Sequence, residues 1–166
     1  MTLLRLSSRR RRSERGLTLI ELVCCSAILL VLASVAVPVA KTWGKRRKEL
    51  ELRQALRDIR TAIDRFQFDV EHNPAMRGTK MNATNEDGFP EKLEWLYQGY
   101  DIGDSVGTKV KYLRRLPRDP MTGKMEWATR SSRDRLDSLA TDGINIFDVH
   151  SKSKAVGLDG TPYAQW

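Results

Sequence analysis

The sequence predicts an α+β protein, in which a long N-terminal transmembrane and amphipathic α-helix packs on a small antiparallel β-sheet head. Three observations predict it. Leu17 to Ala40 is an almost uninterrupted apolar run with a single acid, Glu21. Leu52, Ala55, Leu56, Ile59, Ala62, Ile63, Phe66 and Val70 recur at three- and four-residue steps, which is one face of an amphipathic helix. Beyond Asn73-Pro74, short strand-like segments alternate with Pro117, Pro120, Gly123 and Gly143.

The chain has 166 residues. Setting aside an N-terminal leader and the apolar run leaves about 125 residues, enough for one small domain. Residues 1–16 read as a basic leader, 17–40 as the membrane helix, 41–73 as a helical stem and 74–166 as the head. The formal charge of +8 is unevenly placed: Arg5, Arg9, Arg10, Arg11, Arg12 and Arg15 against Glu14 supply +5, leaving +3 for the rest. A basic signal that lies mostly in the leader argues against nucleic acid as a partner.

A secretory signal peptide has a short apolar core followed by a small-residue cleavage site. Here the apolar run is long enough, at about 1.5 Å per residue, to cross a hydrocarbon core of about 30 Å. The small residue, Gly16, precedes it. Cutting there would discard the arginines and keep the hydrophobic helix. Cys24 and Cys25 lie inside the run and read as small apolar fillers; Val23 before them and the nearby Glu21 exclude a lipoprotein signal. An acid in hydrocarbon costs about 2.5–3.5 kcal/mol even on lenient scales, so Glu21 calls for a partner.

The order Arg15-Gly16-Leu17-Thr18-Leu19-Ile20-Glu21-Leu22 resembles the type IV prepilin motif. The resemblance implies a pilin-like fold, cleavage after Gly16 by a prepilin peptidase on the cytoplasmic face, and N-methylation of Leu17. Phe is common where Leu17 stands. In parallel helices stacked by axial steps, the free amine of one Leu17 can lie beside Glu21 of a neighbour, so Glu21 acts as a register pin. The alternative is an acid reaching interfacial water, since Glu21 is one turn from the cut end. Pro38 removes a helical hydrogen bond, predicting a kink or local unwinding over 34–38. By resemblance this segment melts inside a filament.

The cluster Lys41, Lys45, Arg46, Arg47 and Lys48 makes both flanks of the span basic. The motif fixes a cytoplasmic leader and an external head, with the cluster near anionic headgroups or neighbouring acids. Span and stem form one helix of about 55 residues. Arg53, Gln54, Arg57, Asp58, Arg60 and Asp64 make its wet side, and Asn73-Pro74 ends it. Residues 74–90 read as a loop with little core. Glu91 to Gln98 is a short helix ended by Gly99, and Val110–Leu116, Met125–Thr129 and Ile144–His150 are the strands.

In the head, Leu116-Pro117-Arg118-Asp119-Pro120, with Trp127 after it, resembles the Leu-Pro-x-Asp-Pro segment of major pseudopilins of the type II secretion system. Asp148-Val149-His150-Ser151 and Gly157-Leu158-Asp159-Gly160 are similar to that family's C-terminal motifs. The resemblance implies a bacterial inner-membrane protein that assembles with copies of itself into a periplasmic fibre for protein secretion. The implied partners are minor pseudopilins, an inner-membrane assembly platform, prepilin peptidase and membrane lipid. It also implies a possible calcium ion in the C-terminal loop. Asp159 is the one candidate ligand, because the glycine-rich continuation and second acid are missing and Gln165 stands near where an Asp would be. Asp159-Gly160 alone reads equally as a tight turn.

An enzyme is not expected. His72 and His150 are the only histidines, and no Gly-x-Ser-x-Gly, His-Glu-x-x-His or phosphate-binding glycine loop occurs. Ser131 to Arg135 reads as a solvated loop and His150 with Asp148 as a sheet-surface pair. Trp95, Trp127, Tyr163 and Trp166 read as core or tail seals. Two other functions fit the sequence: a type IV or competence pilin, and a membrane-tethered binding module that does not polymerise.

Overall fold

A computed structural model of the chain describes residues 18–73, 75, 76, 85–135 and 141–166. Gly16 and Leu17 lie outside these residues, as do the basic leader and Pro74. The chain forms two compact units, Met1–Thr42 and Trp43–Trp166. Helix α1, Leu19–His72, contributes to both.

In the first unit α1 runs through Pro38 as continuous α-helix, which corrects the unwinding expected over 34–38. Pro38 has no N–H to give its own turn. The hydroxyls nearby bond to their own helix instead, Ser34 Oγ to Val31 O (2.7 Å) and Thr42 Oγ1 to Pro38 O (3.0 Å).

The second unit is built on the stem's apolar stripe. Leu52, Ala55, Leu56, Ile59, Ala62, Ile63, Phe66 and Val70 are all buried, as their spacing predicts. They share a core with Met76, Leu96, Tyr100, Trp127, Ile146, Val149 and Tyr163. Phe66 sits at its centre, with edge-on rings of Tyr100 at 5.0 Å and Tyr112 at 5.5 Å. Met76 is buried and its carbonyl accepts from Tyr100 Oη at 2.9 Å. The segment after the stem therefore adds more to the core than its composition suggests.

The α+β class is as predicted, with the β structure split into two ribbons. Strand β1, Tyr100–Asp101, pairs antiparallel with β2, Lys109–Val110, placing Tyr100 opposite Val110. Strand β3, Trp127–Arg130, pairs antiparallel with β4, Asp148–Ser151, placing Trp127 opposite Ser151 and Arg130 opposite Asp148. The expected strand 110–116 survives only at Val110, because the amides of Tyr112 and Leu113 both donate to Leu96 O, at 2.9 and 2.8 Å. Leu96 belongs to the short helix α2, Glu94–Gln98. That helix stops at Gly99, whose φ of 103° suits glycine and whose absent Cβ leaves room for Lys109. A 3₁₀ turn, Tyr163–Gln165, follows β4.

Candidate functional site

Two surfaces stand out, one in each unit. Over Thr18–Thr42 the described side chains face outward all round: Leu19 is 82% exposed, Leu30 72% and Val31 67%. Its best 18-residue window has a mean hydropathy of 2.7, long and apolar enough to cross a membrane. Cys24 and Cys25 are free thiols on this surface. The amide of Glu21 donates to Thr18 Oγ1 at 3.3 Å. Among the described residues no side chain bonds the Glu21 carboxylate, which stands exposed on an apolar helix. A helix that is apolar all round has no inside, and it must be covered by lipid or by other helices.

The second surface is where the stem holds the chain's C-terminal segment. Lys45, Glu49 and Arg53, each four residues on from the last, lie on one face of α1 beside the stripe. Lys45 Nζ donates to Val156 O at 2.8 Å. Glu49 is buried, and its Oε1 accepts from Leu158 N at 2.8 Å and Tyr163 Oη at 2.9 Å. Burial and the Glu49 bond push the Tyr163 phenol up to about 12. Arg53 Nη2 lies 3.5 Å from Asp159 Oδ2, with its guanidinium 4.5 Å from the centre of the Trp166 ring.

Further along, Arg60 donates to both Asp148 oxygens (2.6 and 3.2 Å), to Val149 O (3.2 Å) and to Trp166 O (2.8 Å). Arg60 thus leaves the wet side predicted for it and ties β4 and the tail to the stem. It also takes the acid expected to pair with His150. Burial first, and then the cation of Arg130, holds the His150 imidazole below its ordinary value.

The pseudopilin-like motifs prove to be internal supports. Asp119 is fully buried: Oδ1 accepts from Met121 N at 2.8 Å, and Oδ2 from Thr122 Oγ1 at 3.1 Å and Ser151 Oγ at 2.7 Å. The Leu-Pro-x-Asp-Pro acid is thereby bonded to the serine of the Asp-Val-x-Ser segment. Trp127 Nε1 closes the same turn on Pro117 O at 3.0 Å. Ser131, expected in a solvated loop, is buried, and its Oγ donates to the buried Asn145 Oδ1 at 3.1 Å.

Both carboxylate oxygens of Asp159 are engaged by protein groups. Its Oδ1 accepts from Thr161 N at 3.0 Å and Thr161 Oγ1 at 2.7 Å, while Oδ2 faces Arg53. The Thr161 bonds, and then Arg53, hold the carboxyl below the usual range. Among the described residues no three His, Cys, Asp or Glu side chains stand together.

Glu49, Asp119 and Arg60 were not singled out as site residues in the sequence. The available sign was the four-residue ladder from Lys45 through Arg53 along the edge of the stripe, which places three charges where an amphipathic helix meets its partner. Nothing in their spacing names those partners.

An uncovered apolar helix behind a prepilin-type motif, continuing into the stem of an α+β head, defines a pilin-like protein. The prokaryotic N-terminal methylation motif matches residues 11–37. The type II secretion system core protein G of Pectobacterium carotovorum subsp. carotovorum is 30% identical over 137 residues, 79% of this chain and 78% of the relative. That of Klebsiella michiganensis is 28% identical over 141 residues, 81% of this chain and 89% of the relative. That of Pseudomonas aeruginosa is 26% identical over 136 residues, 80% and 87% of the two chains. No solved structure matches the chain. The chain belongs to the type II secretion system core protein G family and is a major pseudopilin.

Proposed function

We propose that the chain is cut after Gly16 and N-methylated at Leu17 by prepilin peptidase. It then polymerises through residues 17–40, leaving the inner membrane as a periplasmic fibre that drives protein secretion. The observation that carries this reading is the helix over Thr18–Thr42, whose described apolar residues are exposed all round and whose one acid, Glu21, has no partner among the described residues. In hydrocarbon the free amine of a neighbour's Leu17 neutralises that acid, and the pair sets the axial step between subunits. Without its donor, the turn before Pro38 is the place where the helix adjusts to such packing.

The subunit's work is mechanical. The leader stays cytoplasmic and the head is periplasmic, leaving Arg46 and Lys48 exposed beside the span to meet anionic headgroups. Minor pseudopilins and an inner-membrane assembly platform are its partners. The names of the three relatives favour secretion over a pilus for adhesion, motility or DNA uptake.

Charge reversal at Glu21 tests the reading. Glu21→Lys is expected to insert and be processed normally, with the mass of the mature chain beginning at methylated Leu17, yet to give none of the oligomer ladder seen on cross-linking the unaltered protein in membranes. A normal ladder from the variant would refute the pin. A mature mass starting at any other residue would refute the processing.

A further inference from the structure

The C-terminal loop in which a calcium ion is implied already contains a cation, the guanidinium of Arg53. Calcium is a hard ion that takes six to eight oxygens, and the loop's oxygens are directed elsewhere. Asp159 Oδ1 takes both donors of Thr161, and Asp159 Oδ2 faces Arg53. Thr161 O accepts from Gly157 N at 2.8 Å, Gly157 O from Gly160 N at 3.2 Å, and Val156 O from Lys45. Glu49, the nearby acid on the stem, spends Oε1 on Leu158 and Tyr163.

The loop is also closed sterically. A Cβ on Gly157 would stand 2.6 Å from Asp159 Oδ1 and 2.7 Å from Trp166 Cζ2, so the acid and the indole are drawn in against bare backbone. Trp166 Nε1 donates to Thr161 Oγ1 at 2.6 Å, fixing the ring on which Arg53 lies. A flat, permanently charged guanidinium can stack on an indole and face a carboxylate at once, which suits it to this position.

We propose that Arg53, carried on the stem, closes the C-terminal loop of this pseudopilin in place of a divalent cation, so that the head holds its tail without calcium. The inference rests on the head alone and is independent of how the fibre assembles.

The test is thermal unfolding of the full chain in detergent micelles, followed by tryptophan fluorescence, in EDTA and in excess calcium chloride. The same midpoint is expected in both. Arg53→Gln should lower it by about 3 °C and speed proteolytic loss of the tail several-fold, with calcium restoring neither. A midpoint that calcium raises or EDTA lowers in the unaltered chain would overturn the proposal, as would an Arg53→Gln chain indistinguishable from it. Should Arg53→Gln fail to fold, Arg53→Lys carries the test: it keeps the charge and loses the flat stack, and a lowered midpoint indifferent to calcium is the expected result.

Discussion

Along α1 the same kind of residue meets opposite fates. Leu30 in the first unit is 72% exposed, whereas Leu52 and Phe66 in the second are wholly buried. Both stretches belong to one continuous helix, so propensity does not separate them. The pattern does. The stem gathers most of its apolar residues into a stripe, Leu50 and Phe68 standing outside it, and places charge elsewhere, which lets one head cover it from one side. The span is apolar on every side, so no single packed face could satisfy it. A stripe asks for a partner within the chain, and a greasy cylinder asks for an environment.

The sharpest break in this comparison is a pair of truncations. Phe66→Ala should destabilise the head by about 3–5 kcal/mol, while Leu30→Ala should change head unfolding by less than about 0.5 kcal/mol. Denaturant unfolding of both variants in detergent decides it, and comparable losses would mean that the two stretches are not covered differently.

A smaller effect probes what the stem's polar edge adds. Tyr163→Phe leaves the buried Glu49 with the Leu158 amide alone and should cost about 1–2 kcal/mol at neutral pH. The Tyr163 phenol stays protonated in the fold up to about 12, against 10.0 ordinarily. Its contribution is therefore fully present below pH 10 and lost as pH rises toward about 12. The variant should lose less stability than the unaltered chain over that alkaline window in unfolding midpoints taken against pH. Part of the loss should persist, because burial and the bond to Asp69 raise Tyr112 as well.

The smallest expected effect belongs to His150. Its folded value lies below the ordinary 6.5, so the unfolded chain takes up the proton first and stability falls as pH drops through 6.5. Half-exposure limits this to less than about 1 kcal/mol. His150→Gln should flatten the decline in unfolding midpoint between about pH 7 and about pH 5, and an unchanged slope would remove His150 from the account.

Much of this organisation is legible in the sequence, and the division follows the range of the interactions. The stem's stripe is written in a period of 3.6 and needs no knowledge of the partner, so all its members are found. Short-range chemistry is likewise visible, as where Gly99 ends α2. Glu49 is different. Its place in the core is not legible, because the groups that bond it lie 109 and 114 residues away. Arg60 is misread for the same reason, its partners being 88 to 106 residues on. The strand 110–116 is lost because one helix carbonyl captures two consecutive amides, a competition that β propensity does not register. The processing residues Gly16 and Leu17 rest on their motif alone.

The long reach of the Glu49 clasp bears on the order in which the head can form. Synthesis delivers the stem first and Leu158 and Tyr163 more than a hundred residues later. Until they arrive, Glu49 has neither of these donors, and the stripe beside it lacks part of its cover. The head is therefore a late-closing body. Its stem-to-tail contacts are complete only once the last segment has been made.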